Sequence, residues 1–219
     1  MVTSPFFDGV PAGDVRLILA AATTRRFSPH SVVYEQGSTA RELYLLTNGR
    51  ARYFLISPDG RKMLLHWLVP GDVLGAASLL TDESTYRVGA ETTRECSSFV
   101  WDRATIRALF DRYPRLSQNA LTVTVGYLDL YIAAHSALVS ETARERLASV
   151  LTRLAESIGE RVSDGIELHV TNDELASAAN INPFTASRIL NEWQSRRALT
   201  KRRGRIVLHS PKHLFQQSA

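Results

Sequence analysis

The segment from Thr171 to Leu208 leaves its backbone few ways to fold. Thr171-Asn172-Asp173-Glu174 has the form of a capping box. The Thr171 hydroxyl can accept from the N–H three residues on, and the Glu174 carboxylate can reach back. A short helix through Ala179 is expected. Asn180 then stands where two helices turn sharply and φ must be positive, a conformation for which Asn is the usual substitute for Gly. Asn182-Pro183 restarts a helix, because Asn caps it and Pro at the first helical position gives up no needed donor. Leu175, Ala179, Ile181, Ala186 and Ile189 suit the core of two crossing helices, with the small Ala176 at their close approach. The second helix is expected to reach about Arg196 and to turn Phe184, Thr185, Ser187, Arg188 and Asn191 outward. Ala198–Leu208 then reads as two short strands around Arg203-Gly204, a wing that carries Lys201, Arg202, Arg203 and Arg205.

Charge is concentrated in the same place. From Pro183 to Ala219 stand Arg188, Arg196, Arg197, Lys201, Arg202, Arg203, Arg205 and Lys212, against the single acid Glu192. Eight bases against one acid give that stretch +7; the whole chain is +4, so the remainder carries −3. Bases on an ordered pattern beside an outward-facing helix suit a polyanion, and the wing bases suit the phosphates flanking a groove of double-stranded DNA. No nucleophile motif, phosphate loop, paired metal-ligand spacing or dinucleotide fingerprint is present, so neither enzymatic activity nor a metal is expected. No apolar run is long enough to read as a transmembrane helix and no leader is recognisable, which favours the cytoplasm over a membrane. Cys96 is the only cysteine. It cannot form an intramolecular disulfide or hold a four-thiolate iron–sulfur cluster within one chain.

Ahead of this unit the periodicity changes twice. Ala12–Ala22 reads as a short helix. From about Phe27 to Trp101 come short strands, among them Leu43–Leu46, Ala51–Ile56, Met63–Leu68 and Ser98–Trp101. They are separated by Gly37-Ser38, Asn48-Gly49, Pro58-Asp59-Gly60 and Pro70-Gly71-Asp72, the pattern of a β-barrel or sandwich. From Asp102 to Val139 the chain reads as helix. Leu121, Val125, Leu128, Ile132, His135 and Val139 recur at alternating steps of four and three, a heptad seam. Leu130, Tyr131 and Leu138 offer a second apolar face. The preferred reading is a helix that touches both its barrel and a twin helix in a parallel homodimer; the alternative is burial within one chain. Ser140 is a candidate cap for the next helix, whose apolar positions are Ala143, Leu147, Val150, Leu151, Leu154 and Ile158, and Ile166–Val170 reads as a strand. The expected architecture is α+β in three parts: a β-roll over 1–110, a dimerisation helix over 111–139 and a winged helix-turn-helix over 140–219.

With both halves read, the chain resembles the cyclic-AMP receptor protein/FNR (Crp–Fnr) superfamily of bacterial regulators over nearly its whole length. The resemblance rests on Glu35-Gln36-Gly37, Leu43-Tyr44-Leu45-Leu46-Thr47-Asn48-Gly49 and Pro70-Gly71-Asp72-Val73-Leu74-Gly75 in the barrel. In the C-terminal part it rests on Leu175-Ala176-Ser177-Ala178-Ala179-Asn180 and Thr185-Ala186-Ser187-Arg188-Ile189-Leu190. It implies a cyclic-nucleotide-binding-like jelly roll and a homodimer on a near-palindromic DNA site. It also implies RNA polymerase as a partner, recruited in activation or blocked in repression.

The departures bear on the ligand. Nucleotide-binding members follow Gly with a Glu that holds the ribose, and a later Arg pairs with the phosphate. Here Gly75 is followed by Ala76, and the arginine's position falls near Ser84 or Thr85, with Arg87 shifted onto the strand that starts at Val88. An effector pocket around Gly75, Ala76, Ala77, Ser84, Thr85 and Arg87 is therefore expected to take an unknown small molecule and not cyclic AMP. The iron–sulfur members' N-terminal cysteines are missing. Haem would need an axial ligand from His30, His66, His135 or Cys96. His66 reads better as a strand histidine, His135 as a residue setting dimer register and Cys96 as an inert thiol, so no cofactor is expected. Many members carry Glu where this chain has Phe184, to accept from cytosine, and an Arg at the position of Arg188, to grip guanine. Phe184 packs on a thymine methyl, fills space beside the backbone, or turns inward to join the domain core.

Overall fold

The structure, a computed structural model, describes residues 3–60, 62–79, 81–209 and 214, without the side chains of Ala77 and Ser78. Its contacts divide the chain into two compact units, Met1–Tyr131 and Ile132–Ala219.

The first unit has eight strands: β1 Thr23–Phe27, β2 Val32–Tyr34, β3 Glu42–Asn48, β4 Ala51–Ile56, β5 Lys62–Leu68, β6 Val73–Leu74, β7 Gly89–Thr92 and β8 Cys96–Asp102. They form two four-stranded sheets, in the orders β1-β8-β3-β6 and β2-β7-β4-β5, with every pairing antiparallel. The side-chain period of two sorts β3 and β8 between two cores. Tyr44, Leu46, Cys96 and Val100 face inward and meet Tyr34, Ala51, Tyr53, Leu68 and Ala90 of the second sheet. Leu43, Leu45 and Trp101 face the other way, onto Phe6, Ile18, Ile106, Leu116 and Ala120. That outer core is roofed by helix α1 (Ala12–Ala20), helix α2 (Arg103–Arg112) and the first turns of helix α3 (Pro114–Ser140). The Trp101 indole N–H donates to the Ile18 carbonyl at 2.9 Å. The Asn119 amide donates to the carbonyls of Phe6 and Asp8 at 3.0 and 2.8 Å, which ties α3 to the N-terminal segment.

The helix expected from Asp102 to Val139 is two helices. Pro114 disfavours helical backbone at the residue before it; Tyr113 duly leaves the helix (φ −125°, ψ 77°), and α3 restarts with Pro114 at its first position. The break comes three residues beyond the boundary expected at 111. The contacts place α3 as far as Tyr131 with the barrel. α1 also stops two residues short of the expected Ala22.

The second unit holds helix α4 (Ala143–Ile158), β9 (Glu160–Val162), β10 (Gly165–Leu168), helix α5 (Asn172–Ala178), helix α6 (Pro183–Ser195), β11 (Leu199–Arg202) and β12 (Arg205–Leu208). Ser140 is not the cap of α4; it ends α3 and donates back to the Ser136 carbonyl at 3.0 Å. The cap is Thr142, in a reciprocal box with Glu145. Only Thr142 has a Glu three residues on, which is why the box forms there. β9 was not expected. It pairs with β10 to make a four-stranded sheet in the order β11-β12-β10-β9.

Two turn glycines separate backbone strain from steric exclusion. Both Gly49 (φ +89°) and Gly60 (φ +80°) are left-handed, but a Cβ on Gly49 would lie 2.1 Å from the Glu95 carbonyl oxygen while one on Gly60 meets nothing within 4 Å. Gly60→Ala is expected to cost about 1–2 kcal/mol of strain alone. Gly49→Ala should cost clearly more in the same urea titration; equal losses would contradict the close packing of β3 on the Glu95–Cys96 turn.

Candidate functional site

The helix-turn-helix is built from its caps outward. Thr171 and Glu174 exchange the bonds of a capping box, with Thr171 N–H to Glu174 at 2.8 Å and Glu174 N–H to the Thr171 hydroxyl at 3.2 Å. Asn180 has φ +48°. The Asn182 side chain accepts from the Phe184 N–H at 2.8 Å, with Pro183 at the first position. Leu175, Ala176, Ala179, Ala186 and Ile189 are buried, while Ile181 is only half-buried.

Burial of Ala186, Ile189, Leu190 and Trp193 fixes which face of α6 looks outward. Phe184 is 86% exposed, so it does not turn into the core. Arg188 and Asn191 are exposed as well, and Thr185 and Ser187 are half-buried on the flank. The four wing bases are not equivalent. Lys201 donates to the Asn191 side chain at 2.7 Å, joining the wing to α6, and Arg205 pairs with Glu167 at 3.3 Å. Arg188, Arg202 and Arg203 pair with no acid among the described residues. Lys212 lies outside the described residues.

Sequence reasoning missed the supports behind this face. Arg144 of α4 pairs with Glu192 and lies over the Trp193 ring at 5.6 Å. The one acid of the basic stretch is therefore turned inward and neutralised. Arg146 donates to the Ala179 carbonyl at 3.0 Å and closes the end of α5. Glu160, Glu167 and His169 bring ligand atoms within 4.8 Å of one another, a spacing a cation could use, although the Glu167 carboxylate already serves His169 and Arg205. Arginines two and four residues past the Thr142 cap, and a His two residues after Glu167, were the available signals. Neither shows from sequence alone which partner it will meet.

In the first unit a cavity of about 210 Å³ opens between the barrel and α3, lined by Tyr34, Tyr53, Gly75, Ala76, Tyr86, Arg87, Val88, Tyr127 and Tyr131. Gly75, Ala76 and Arg87 were expected there. Ser84 and Thr85 are spent on local structure instead: Ser84 closes a turn with Thr81, and Thr85 bridges to Thr39. Ala77's side chain lies outside the described residues. Arg87 is not on a strand, because β7 begins at Gly89; Arg87 is an exposed bend residue at the lip of the cavity. Burial pushes the phenols of Tyr34, Tyr53 and Tyr127 well up from their ordinary value, so all three stay neutral donors.

The haem candidates are scattered. His66 packs edge-on against Tyr127, His30 sits at φ +59°, and His135 is exposed on α3. Cys96 is buried, donates to the Arg50 carbonyl at 3.2 Å and has its thiol pushed up by burial, the direction of an unreactive thiol. Among the described residues the cavity lining contains neither His nor Cys.

The outward face of α3 is the other exposed feature. Leu121, Val125, Leu128, Ile132 and Val139 are 65, 46, 56, 55 and 86% exposed. The face that meets the barrel is carried by Tyr127, which lies edge-on to Tyr53 with ring centroids 5.9 Å apart. Tyr131 and Leu130 are half-buried, and Leu138, expected on that face, is 41% exposed. Among the described residues α3 is the one helix long and apolar enough to cross a membrane by length and composition. Its apolar content comes from these two stripes.

A cyclic nucleotide-binding domain model matches residues 24–113 and a Crp-like helix-turn-helix domain model matches residues 145–216. The transcriptional regulator LdrP of Thermus thermophilus is 30% identical over 168 residues, covering 76% of this chain and 82% of its own. The cyclic AMP receptor protein of the same species is 28% identical over 87% of this chain and 86% of its own. Among solved structures, the c-di-GMP-responsive global regulator CLP of Xanthomonas campestris matches with a TM-score of 0.81 at 22% identity, over 91% of this chain and all of that one. The chain belongs to the Crp–Fnr superfamily. It is a transcriptional regulator with a helix-turn-helix DNA-binding domain. In this Crp–Fnr regulator the position after Gly75 is occupied by a methyl group, Ala76, and the cavity lining contains no carboxylate among the described residues.

The Asn182 cap generates a test. Asn182→Ala removes the bond to Phe184 N–H and should destabilise α6 by about 1 kcal/mol, whereas Asn182→Ser should retain most of the cap. Hydrogen exchange of the α6 amides reads the difference, and equal protection in wild type and the Ala variant would discount the cap.

Proposed function

We propose that this Crp–Fnr regulator works as a homodimer on a near-palindromic DNA site and answers to a small molecule held in its barrel. The observation that carries the DNA reading is the outward face of α6, where the largely exposed Phe184 lies one turn from an Arg188 that has no acidic partner among the described residues. In the major groove Arg188 grips O6 and N7 of a guanine, and Phe184 packs on a thymine methyl. Thr185, Ser187 and Asn191 border that contact. Arg202 and Arg203 neutralise phosphates, and Lys201 and Arg205 join them once they exchange Asn191 and Glu167 for the DNA backbone. RNA polymerase is the partner through which DNA occupancy is read, and the site of action is the cytoplasm.

The dimer reading rests on α3. Leu121, Val125, Leu128, Ile132 and Val139 are an exposed apolar stripe at heptad spacing, with His135 inside it. A twin helix in parallel register would bury it. The cyclic-nucleotide chemistry of relatives does not carry over, because the Ala76 methyl cannot hold a ribose hydroxyl.

Two experiments test the proposal. Leu128→Asp is expected to give a folded monomer with greatly weakened DNA binding; a dimer in sedimentation would exclude the seam. Selection from a random DNA library should recover a half-site with an Arg188-read guanine. Arg188→Ala should lose that preference, because a bidentate contact discriminates by about 1–3 kcal/mol, while Phe184→Glu should move the adjacent base pair toward one with a cytosine donor. An unchanged motif in both variants would remove α6 as the reading element.

A further inference from the structure

The cavity beside α3 has a hydrogen-bond account that does not close within the protein. Tyr34 donates to the Tyr53 oxygen, and Tyr53 reaches the Val73 carbonyl at 3.4 Å. Tyr86 donates to the Glu42 carbonyl at 2.9 Å and accepts from the Glu42 N–H at 3.1 Å. The phenols of Tyr127 and Tyr131 have no hydrogen-bond partner among the described residues, and Arg87 at the lip pairs with no acid there. Neither phenol oxygen is a buried atom left without a partner, so both open onto the cavity, where a ligand's acceptor can take the place of water. Here two phenol donors and one guanidinium border the same space, and among the described residues no carboxylate lines it, although the charge of Asp72 reaches Tyr127 from outside the lining.

The walls define the rest of the ligand. Tyr34 and Tyr86 are stacked with ring centroids 3.9 Å apart, and Tyr53 meets Tyr127 edge to face. Ala76 presents only a methyl group to the cavity, whereas a Cβ on Gly75 would meet the Glu42 carbonyl and the Tyr86 ring. Aromatic walls favour a flat ring, held by offset or edge contacts. The volume of about 210 Å³ lies above the roughly 150 Å³ of an apolar cavity that takes up benzene. It lies below the roughly 300 Å³ at which ordinary ligand pockets begin. One ring with a short arm fits these limits.

We infer that this cavity binds a small aromatic carboxylate, its ring among Tyr34, Tyr86 and Tyr127 and its acid on Arg87 and the two unpartnered phenols. The inference rests on the reading of the barrel as the sensor and names the chemistry sensed. A carboxylate supplies what the three donors lack and gives Arg87 a bidentate partner. Tyr127 and Tyr131 alternate along α3 with Leu128 and Ile132 of the outer stripe. A ligand that draws on their phenols therefore acts on the helix that carries the proposed seam.

Isothermal titration of the full chain with benzoate, phenylacetate and 3-phenylpropionate, each beside its uncharged amide, and with cyclic AMP, tests this. At least one acid is expected to bind one per chain and about tenfold more tightly than its amide and than cyclic AMP. Arg87→Gln, a change at an exposed side chain, should weaken that acid about tenfold, and Tyr127→Phe should weaken it severalfold with thermal unfolding little changed. The inference is overturned if none of the acids gives heat at about 1 mM, if amide and acid bind alike, or if Arg87→Gln binds like wild type. Gel shifts with the same protein keep the two readings apart. DNA binding without any bound acid sinks the inference and leaves the regulator standing. A bound acid that leaves DNA affinity unchanged upholds the ligand assignment and removes the barrel as the sensor.

Discussion

β3 and β8 are buried on both faces, and the first unit is organised around that double burial. A strand with one wet face tolerates polar residues at every second position. Here Leu43 and Leu45 must satisfy one core while Tyr44 and Leu46 satisfy another. The two cores have different characters. The outer one combines aliphatic side chains with the rings of Phe6 and Trp101, closed by helices, and its polar tips are tied off by the Trp101 and Asn119 bonds. The inner one is rich in tyrosine. Each buried phenol brings a donor that must end somewhere, so the inner core is where hydrogen bonding decides what fits. The phenols of Tyr34, Tyr44, Tyr53 and Tyr86 end on protein atoms, while those of Tyr127 and Tyr131 on α3 do not among the described residues.

α3 inherits a related problem. Its barrel side is fixed by Tyr127 against Tyr53 and His66. Its other apolar stripe is left facing solvent in the single chain, with Val139 86% exposed. Burying a Leu or Ile side chain is worth roughly 1.5–3 kcal/mol, so several exposed residues in one line are a strong reason for association. Tyr127 and Tyr131 alternate with Leu128 and Ile132 along α3, so the barrel contact and the stripe are carried by the same helix.

In the second unit the balance is electrostatic. The only acid among eight bases from Pro183 onward is held by Arg144 and Arg196, which removes it from the outer face. Lys201 and Arg205 are held by Asn191 and Glu167, which orients the wing before any partner arrives. Arg188, Arg197, Arg202 and Arg203 pair with no acid among the described residues; they lie on α6, just beyond its end and around the wing turn.

The elements that depend on neighbours three or four residues away were legible in the sequence. The Thr171 box, the left-handed Asn180, the Asn182-Pro183 restart and the Arg203-Gly204 turn all formed where their residue types require, because caps and turns are set by local backbone geometry. The heptad stripe was equally visible. Local rules also explain two misreadings: Pro114 should have divided the long helix, and Thr142, not Ser140, has the Glu that completes a box. What only the tertiary structure decided was the cavity. Tyr34, Tyr53, Tyr86, Arg87 and Tyr127 are spread over more than ninety positions and belong to strands, a bend and a helix. No period links them; closure of one sheet over the other and the docking of α3 bring them together. For the same reason Ser84 and Thr85, only three and two residues before Arg87, are absent from the lining, and Tyr127 became the barrel contact in place of Leu138. Proximity in the chain governs what one residue's backbone does, and packing governs which side chains share a space.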